Sequence, residues 1–245
     1  MKTGTRADTW VKVLIPRITA YHVKFSIDDK LRGKVFVGVG IVRNVENREY
    51  PSELLVIIND VVKEVRSKYS LDKLKDDPII RYYRDFYWHE LGIDPTKQRP
   101  AQEALLRRIL RGEDLPRINP VVDIGNVASI RYLVPIGLYD IDSFGGKDLI
   151  IRYARDGEIF NPIGSPQKTL SSNQIILSTI DGLILHVYPY RDSETTKIRP
   201  ETKNVLIVTA GVPGVDDERL IESAQFIIDL ATKYLGGGVP IRSLS

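Results

Sequence analysis

Helical periodicity and strand periodicity occupy separate stretches of this chain, and that grouping constrains its fold more than any other feature. Between residues 51 and 133 apolar side chains mostly recur at three- and four-residue intervals. Between 148 and 209 they come as short β-branched runs, and a last helical pattern spans 216–234. Elements grouped this way predict an α+β fold, mixed sheets packed with helices, rather than a doubly wound parallel sheet.

The individual elements carry their own signals. Residues 51–69 place Leu54, Leu55, Ile58, Val62 and Val65 on one stripe, with Ser52 positioned to cap the helix. Residues 78–91 predict a second helix: Asp77 caps it, Pro78 suits its first turn and Gly92 its stop. Helices follow over 100–111, with Leu105, Leu106, Ile109 and Leu110 inward and Gly112 as terminator, and over 122–133. Strands are expected at 10–15, 35–42, 148–153, 174–180, 183–188 and 204–209. Gly38 and Gly40 inside the second of these indicate a close backbone approach or a bulge. The last helix should bury Leu220, Ala224, Ile227, Ile228 and Ala231 and end at the glycines 236–238. Residues 1–9 read as a flexible polar tail and 10–245 as one domain, with no repeat or low-complexity linker.

Several function classes drop out. The chain has no cysteine, which removes disulfides, thiolate metal sites and a cysteine nucleophile. No apolar run approaches the ~20 residues of a membrane span, and the N-terminus lacks the apolar stretch of a signal peptide. A cytoplasmic protein without membrane contact is the expectation. A net charge of +3, from 35 basic and 32 acidic residues, is too mild to establish nucleic-acid binding by itself.

Most candidate motifs have an ordinary explanation. Gly38-Val39-Gly40 lacks the third glycine of a dinucleotide loop, because Arg43 stands there. His22, His89 and His186 lack metal-ligand spacing, so no metal or cofactor is expected. His186, on an apolar strand, reads as a hydrogen-bonded core histidine. Asp140 and Asp142 could act as a carboxylate pair, but a solvated turn before Gly145-Gly146 is the more frequent case. The segment 97–117 is more informative. Arg99, Arg107, Arg108, Arg111 and Arg117, with Lys97, outnumber Glu103, Glu113 and Asp114 there. Such clustering can neutralise phosphates, or it can be a solvated helix face.

The same region carries an ordered set of motifs. The run Arg99-Pro100-Ala101-Gln102-Glu103-Ala104-Leu105-Leu106-Arg107-Arg108 is followed by Ile118-Asn119-Pro120-Val121-Val122-Asp123-Ile124-Gly125-Asn126 and then by Pro135-Ile136-Gly137-Leu138-Tyr139-Asp140. Together they resemble the editing, or B3/B4, domain of the phenylalanyl-tRNA synthetase β subunit. That family reads as an Arg-Pro entry, a Leu-Leu-Arg-Arg helix, Ile-Asn-Pro-Val-Val-Asp-x-Thr-Asn and Pro-Leu-His-Ala-Phe-Asp. The likeness is clear over 99–160 and fades towards 214. No ligase core accompanies it, so the chain reads as a free-standing relative.

The resemblance implies a pocket for the aminoacylated 3′ end of tRNA, where a misattached amino acid is hydrolysed. Positioning one water and stabilising an oxyanion suffices for an already activated ester. Asn126 is then the candidate catalytic amide, with Gly125 and Gly137 lining the substrate pocket and Arg99, Arg107, Arg108, Arg111 and Arg117 holding the tRNA. Two departures matter. The family's Thr-Asn is Gly125-Asn126 here, and its pocket histidine falls on Gly137. Both changes are expected to leave room, for a different and larger aminoacyl group or another way of holding water. The resemblance carries two further readings: a non-catalytic tRNA- or RNA-binding module that keeps the fold, and a small-molecule amino-acid binder.

Overall fold

The computed structural model describes residues 11–13 and 23–238. The tail and His22 lie outside the described residues, as do Trp10, Leu14 and Ile15 of the first expected strand. Among the described residues eleven strands and five α-helices follow in chain order. They are β1 (Val11–Val13), β2 (Phe25–Ile27), β3 (Phe36–Val42), α1 (Ser52–Lys68), α2 (Pro78–His89), α3 (Ala101–Leu110), α4 (Pro120–Tyr132) and β4 (Ile136–Asp140). After these come β5 (Leu149–Tyr153), β6 (Ile159–Phe160), β7 (Lys168–Thr169), β8 (Ile175–Thr179), β9 (Ile184–Val187), β10 (Arg191–Asp192), β11 (Val205–Gly211) and α5 (Asp217–Tyr234). The grouping of helices and strands is the α+β arrangement expected from the sequence.

A four-stranded sheet runs β1-β3-β11-β4, with β1 parallel to β3 and the other pairs antiparallel. A five-stranded sheet runs β10-β9-β8-β5-β2. Alternation along β11 shows how the layers meet. Val205 and Ile207 pack with α1, α3, α4 and α5, whereas Leu206, Val208 and Ala210 pack with Leu149, Ile151 and Leu177 of the second sheet. The four-stranded sheet is therefore the middle layer, with helices on one face and the five-stranded sheet on the other.

Gly38 and Gly40 lie on the helical face of β3 and let α5 close down on it. A Cβ on Gly38 would sit 2.8 Å from the Leu220 carbonyl oxygen, and one on Gly40 2.9 Å from Ile228 Cδ1. Close approach, and not a bulge, explains both.

Helix ends follow local chemistry. Asp77 accepts from the amides of Ile79 and Ile80, and Asp216 from that of Arg219. Ser52 does not cap α1; its hydroxyl turns to Glu53, and Pro51 holds the cap position without a side-chain bond. Asn119 caps α4 through Val122 N, with Pro120 in its first turn, so α4 begins two residues before the periodicity indicated. Asp140 accepts from Asp142 N and from Thr202 Oγ1, and Gly145 follows in the left-handed region at φ 64°. This carboxylate pair thus builds a turn. Among the described residues no group of three or more His, Cys, Asp or Glu is placed to hold a metal. No helix among the described residues is long and apolar enough to cross a membrane.

Candidate functional site

The helix α4 and the strand β4 make two walls of one cavity. Asn119, Val122, Gly125 and Asn126 share one face of α4 because they recur at helical spacing. Opposite stand Ile136 and Leu138 of β4. Asp192 comes from β10, Lys197 and Arg199 from the connection that leads on to β11, and Ile118, Ile163, Ile198 and Pro200 complete the lining. The cavity, open to solvent on one side, has a volume of about 560 Å³.

Hydrogen bonds fix these walls to one another. Asn47 accepts from Val121 N and donates to the Arg199 carbonyl, joining the start of α4 to the opposite wall. Asp123 accepts from Ile118 N at 3.0 Å and from the Tyr50 hydroxyl at 2.9 Å, which holds the entry to α4. Burial raises the Asp123 carboxyl above the ordinary carboxylate range, against these bonds and the Arg117 charge, which act to lower it. The two cations in the lining are engaged at their own wall: Lys197 pairs with Glu194, and Arg199 donates to the Glu194 carbonyl.

Asn126 is different. It is half-buried in the middle of α4 and lines the cavity, and among the described residues its amide makes no hydrogen bond. An amide offers two donors and two acceptor sites, all available here to a bound molecule.

Gly125 lines the cavity beside Asn126, but the room expected from the absence of a threonine is taken. A Cβ at 125 would lie 2.6 Å from Leu138 Cδ1, so the glycine admits a leucine from β4. Gly137 is displaced from this pair altogether. Strand alternation turns Leu138 towards α4 and Gly137 towards the five-stranded sheet. There Tyr139, also on that face, covers it: a Cβ at 137 would run into the Tyr139 hydroxyl and stand 2.6 Å from its Cζ. What remains beside Gly137 is a cavity of about 50 Å³, with Tyr139, His186, Pro189, Tyr190 and Asp192 in its lining. The expected enlargement at 137 is thus corrected: the space is filled by an aromatic ring. Gly137→Ala should overpack this position, cost about 1–3 kcal/mol and break the Tyr139 hydrogen bond. A melting temperature equal to wild type would show that Tyr139 can move aside.

The sequence did not indicate Asp192 or His186 as site residues. Tyr139 Oη donates to Asp192 Oδ1 at 3.0 Å, and His186 Nδ1 lies 2.7 Å from the same oxygen. Burial, followed by the Asp192 charge, drives the Tyr139 phenol well above its usual value, so it stays protonated and a donor. The dense charged run Arg191-Asp192-Ser193-Glu194-Thr195-Thr196-Lys197, directly after an apolar strand, is the signal that could have located this wall.

The arginines separate into two kinds. Arg107 is 17% exposed and donates to Glu103 at 2.7 Å, a carboxylate with no exposure that Arg84 also approaches. It belongs to an ion cluster built on the buried Glu103, unlike the more exposed arginines of the expected tRNA-facing set. Arg99, Arg108 and Arg111 are exposed. Arg108 pairs with Glu113, and Arg117 stands 3.8 Å from Asp123 beside the cavity residue Ile118.

The family model described as "B3/4 domain" matches residues 83–236. The phenylalanine–tRNA ligase β subunit of a Bacillus cereus strain is 29% identical over 145 residues, 49% of this chain and 18% of that protein. The same subunit of Geobacter sulfurreducens is 30% identical over 112 residues, 45% of this chain and 14% of that protein. The chain therefore spans less than a fifth of the length of these relatives. Among solved structures, an N-terminal fragment of the phenylalanyl-tRNA synthetase β subunit from Pyrococcus horikoshii aligns at a TM-score of 0.47 and 15% identity, covering 91% of this chain and 52% of that one.

Proposed function

The chain belongs to the B3/4 domain family, and on that premise we propose that it binds tRNA and hydrolyses, in trans and in the cytoplasm, the ester of a mischarged aminoacyl-tRNA. The observation that carries this reading is the Asn126 amide, free of hydrogen bonds among the described residues, on the wall of the 560 Å³ cavity. That volume falls in the range of small-molecule sites, and apolar walls with a few placed polar groups are what such sites share. An aminoacyl group presents an apolar side chain together with a carbonyl and a ribose hydroxyl. The amide can hold either polar group, or the attacking water, while Ile118, Val122, Ile136, Leu138 and Ile198 receive the side chain.

The test is a panel of tRNAs charged correctly and wrongly with labelled amino acids, followed for release of the amino acid by the purified protein. Release from a subset of the wrongly charged members supports the reading. Release from none overturns it and leaves the second reading, a tRNA-binding module without catalysis. One observation favours that second reading: the position of the family's histidine is closed by Tyr139 to a cavity of about 50 Å³.

Both readings require tRNA affinity, and the exposed cations are its source. Replacing Arg99, Arg108 and Arg111 with Ala should weaken tRNA binding. The slope of log affinity against log salt should fall by about 0.7–0.9 for every phosphate that is no longer neutralised. Arg107→Ala should leave that slope unchanged and lower the melting temperature instead, because it strips Glu103 of its nearest partner in a buried site. Equal slopes for the triple variant and the wild type would reduce the exposed arginines to a solvated face.

A further inference from the structure

Resting on the proposal that the 560 Å³ cavity receives an aminoacyl group, we propose that Asp192 binds the free α-amino group of that moiety through its Oδ2. Among the described residues that line this cavity, Asp192 is the one with an acidic side chain.

The two carboxylate oxygens have different surroundings. Oδ1 is engaged twice: the Tyr139 hydroxyl donates to it at 3.0 Å, and His186 Nδ1 stands 2.7 Å from it. Both partners are held in place. Tyr139 is buried, and its ring and that of Tyr188 stand edge-on to the imidazole, with centroids 6.3 and 6.0 Å away. Asp192 is also paired with His186 in the ladder between β9 and β10. Oδ2 makes no hydrogen bond among the described residues, and it is not one of the unpartnered side-chain atoms that burial removes from water. It is therefore an accepting oxygen in contact with solvent. The Asp192 side chain is 33% exposed. The small cavity beside Gly137, about 50 Å³, holds little more than one water of about 30 Å³. Exposure on that scale lies towards the larger cavity, which Asp192 also lines.

Charge selects the ligand group. The 3′ end of an aminoacyl-tRNA carries phosphates, which a carboxylate repels, and one cationic group, the α-ammonium, which it attracts. The cations of the same wall have other partners: Lys197 pairs with Glu194, and Arg199 donates to the Glu194 carbonyl. Asn126, on α4, brings an amide that is unpartnered among the described residues to the same cavity. An amide from α4 and a carboxylate from β10 complement the carbonyl and the amine on either side of the substrate α-carbon, which leaves the apolar lining to its side chain. His186 and Tyr139 are positioning residues in this arrangement, since they fix Oδ1 and leave Oδ2 to the ligand.

The experiment measures the affinity of wild type, Asp192→Asn and Asp192→Ala for two analogues of a charged 3′ end, at about pH 6.5, below the ~7.7–8.0 at which an ordinary α-amino group titrates. Both analogues are amides of 3′-amino-3′-deoxyadenosine, one carrying leucyl and the other its 2-hydroxy counterpart. They differ by ammonium against hydroxyl, and neither has an ester to hydrolyse. Wild type should hold the leucyl analogue about 10- to 100-fold more tightly, the scale of a hydrogen bond to a charged group. Asp192→Asn keeps an acceptor for Tyr139 and His186 but loses the charge, so the preference should vanish through weaker binding of the leucyl analogue. Asp192→Ala should lose the preference in the same way. Binding of the hydroxy analogue reports on the fold of the cavity in each variant. If Asp192 serves only to brace β10, both analogues should weaken equally and the preference should persist. Equal affinities in wild type, a preference that survives in Asp192→Asn, equal loss of both analogues in the variants, or no binding of either by wild type overturns the assignment. The charged-tRNA panel judges the deacylase reading separately. Release of amino acid without a preference for the ammonium removes Asp192 and leaves the deacylase. A preference lost in Asp192→Asn, without release from any member of the panel, keeps the ammonium site in a protein that binds the aminoacyl end and does not hydrolyse it.

Discussion

Asn126→Ala is expected to lower the deacylation rate by about 10²–10³-fold, the usual cost of removing one preorganised donor from a reacting centre. Affinity for tRNA and thermal stability should stay close to wild type. The separation follows from the structure. Among the described residues the Asn126 amide makes no hydrogen bond, so its removal strands no partner inside the protein. Its helix is capped elsewhere, by Asn119 through Val122 N, and Asn47 ties the start of that helix to Arg199. Phosphate contacts supply most of the affinity for a polynucleotide, and the arginines proposed for them, Arg99, Arg108 and Arg111, are not among the residues that line the cavity. Asn126→Asp keeps the acceptors and removes the donors, so it should resemble alanine if the amide donates to the carbonyl. It should retain activity if the group only accepts from water or ribose. A marked drop in melting temperature with turnover preserved would make Asn126 a structural brace and remove it from the site.

Ile228→Ala should destabilise the fold by about 2–5 kcal/mol, through reduced burial and the cavity left behind. Ile228 is 4% exposed and belongs to the core between the helices and the four-stranded sheet, beside Ala224, Ile227 and Ala231. Its Cδ1 occupies the position that a side chain on Gly40 would claim, so strand and helix are fitted to each other at this point. The neighbouring backbone cannot relax freely into the gap, because Gly38 also stands against the Leu220 carbonyl one helical segment away. Calorimetric or denaturant melts of the variant measure the effect. A change well under ~1 kcal/mol would mean that this face of α5 is loosely packed. The alanine variant should leave the amide of Asn126 in place, so any remaining folded fraction should keep its turnover.

Much of this architecture follows from local chemistry, and the chain sequence therefore determined it. Asp77-Pro78 and Asp216 start their helices because a carboxylate beside free amides has the same effect in any fold. The stripe of Leu220, Ala224, Ile227, Ile228 and Ala231 faces inward because helical period puts it on one side. Gly38 and Gly40 announced a close approach, although not that α5 would make it. Gly125 and Asn126, neighbours in the motif that starts at Ile118-Asn119-Pro120, line one cavity wall because both lie on one helix.

What tertiary structure alone decided is which side chains meet across elements. Gly137 and Leu138 are adjacent in sequence, yet period-two alternation sends them to opposite faces of β4, so only one can border the cavity of Asn126. Tyr139 fills the space beside the bare backbone of Gly137, and Leu138 does the same at Gly125. Arg107 looked like its neighbour Arg108 until the fold buried Glu103 and turned Arg107 onto it. Asp192 and His186 reach Tyr139 from strands about fifty residues away. Periodicity fixes the face of an element on which a residue stands. It carries no information about which distant element will be packed there, and a site built from three strands and a helix depends on that second choice.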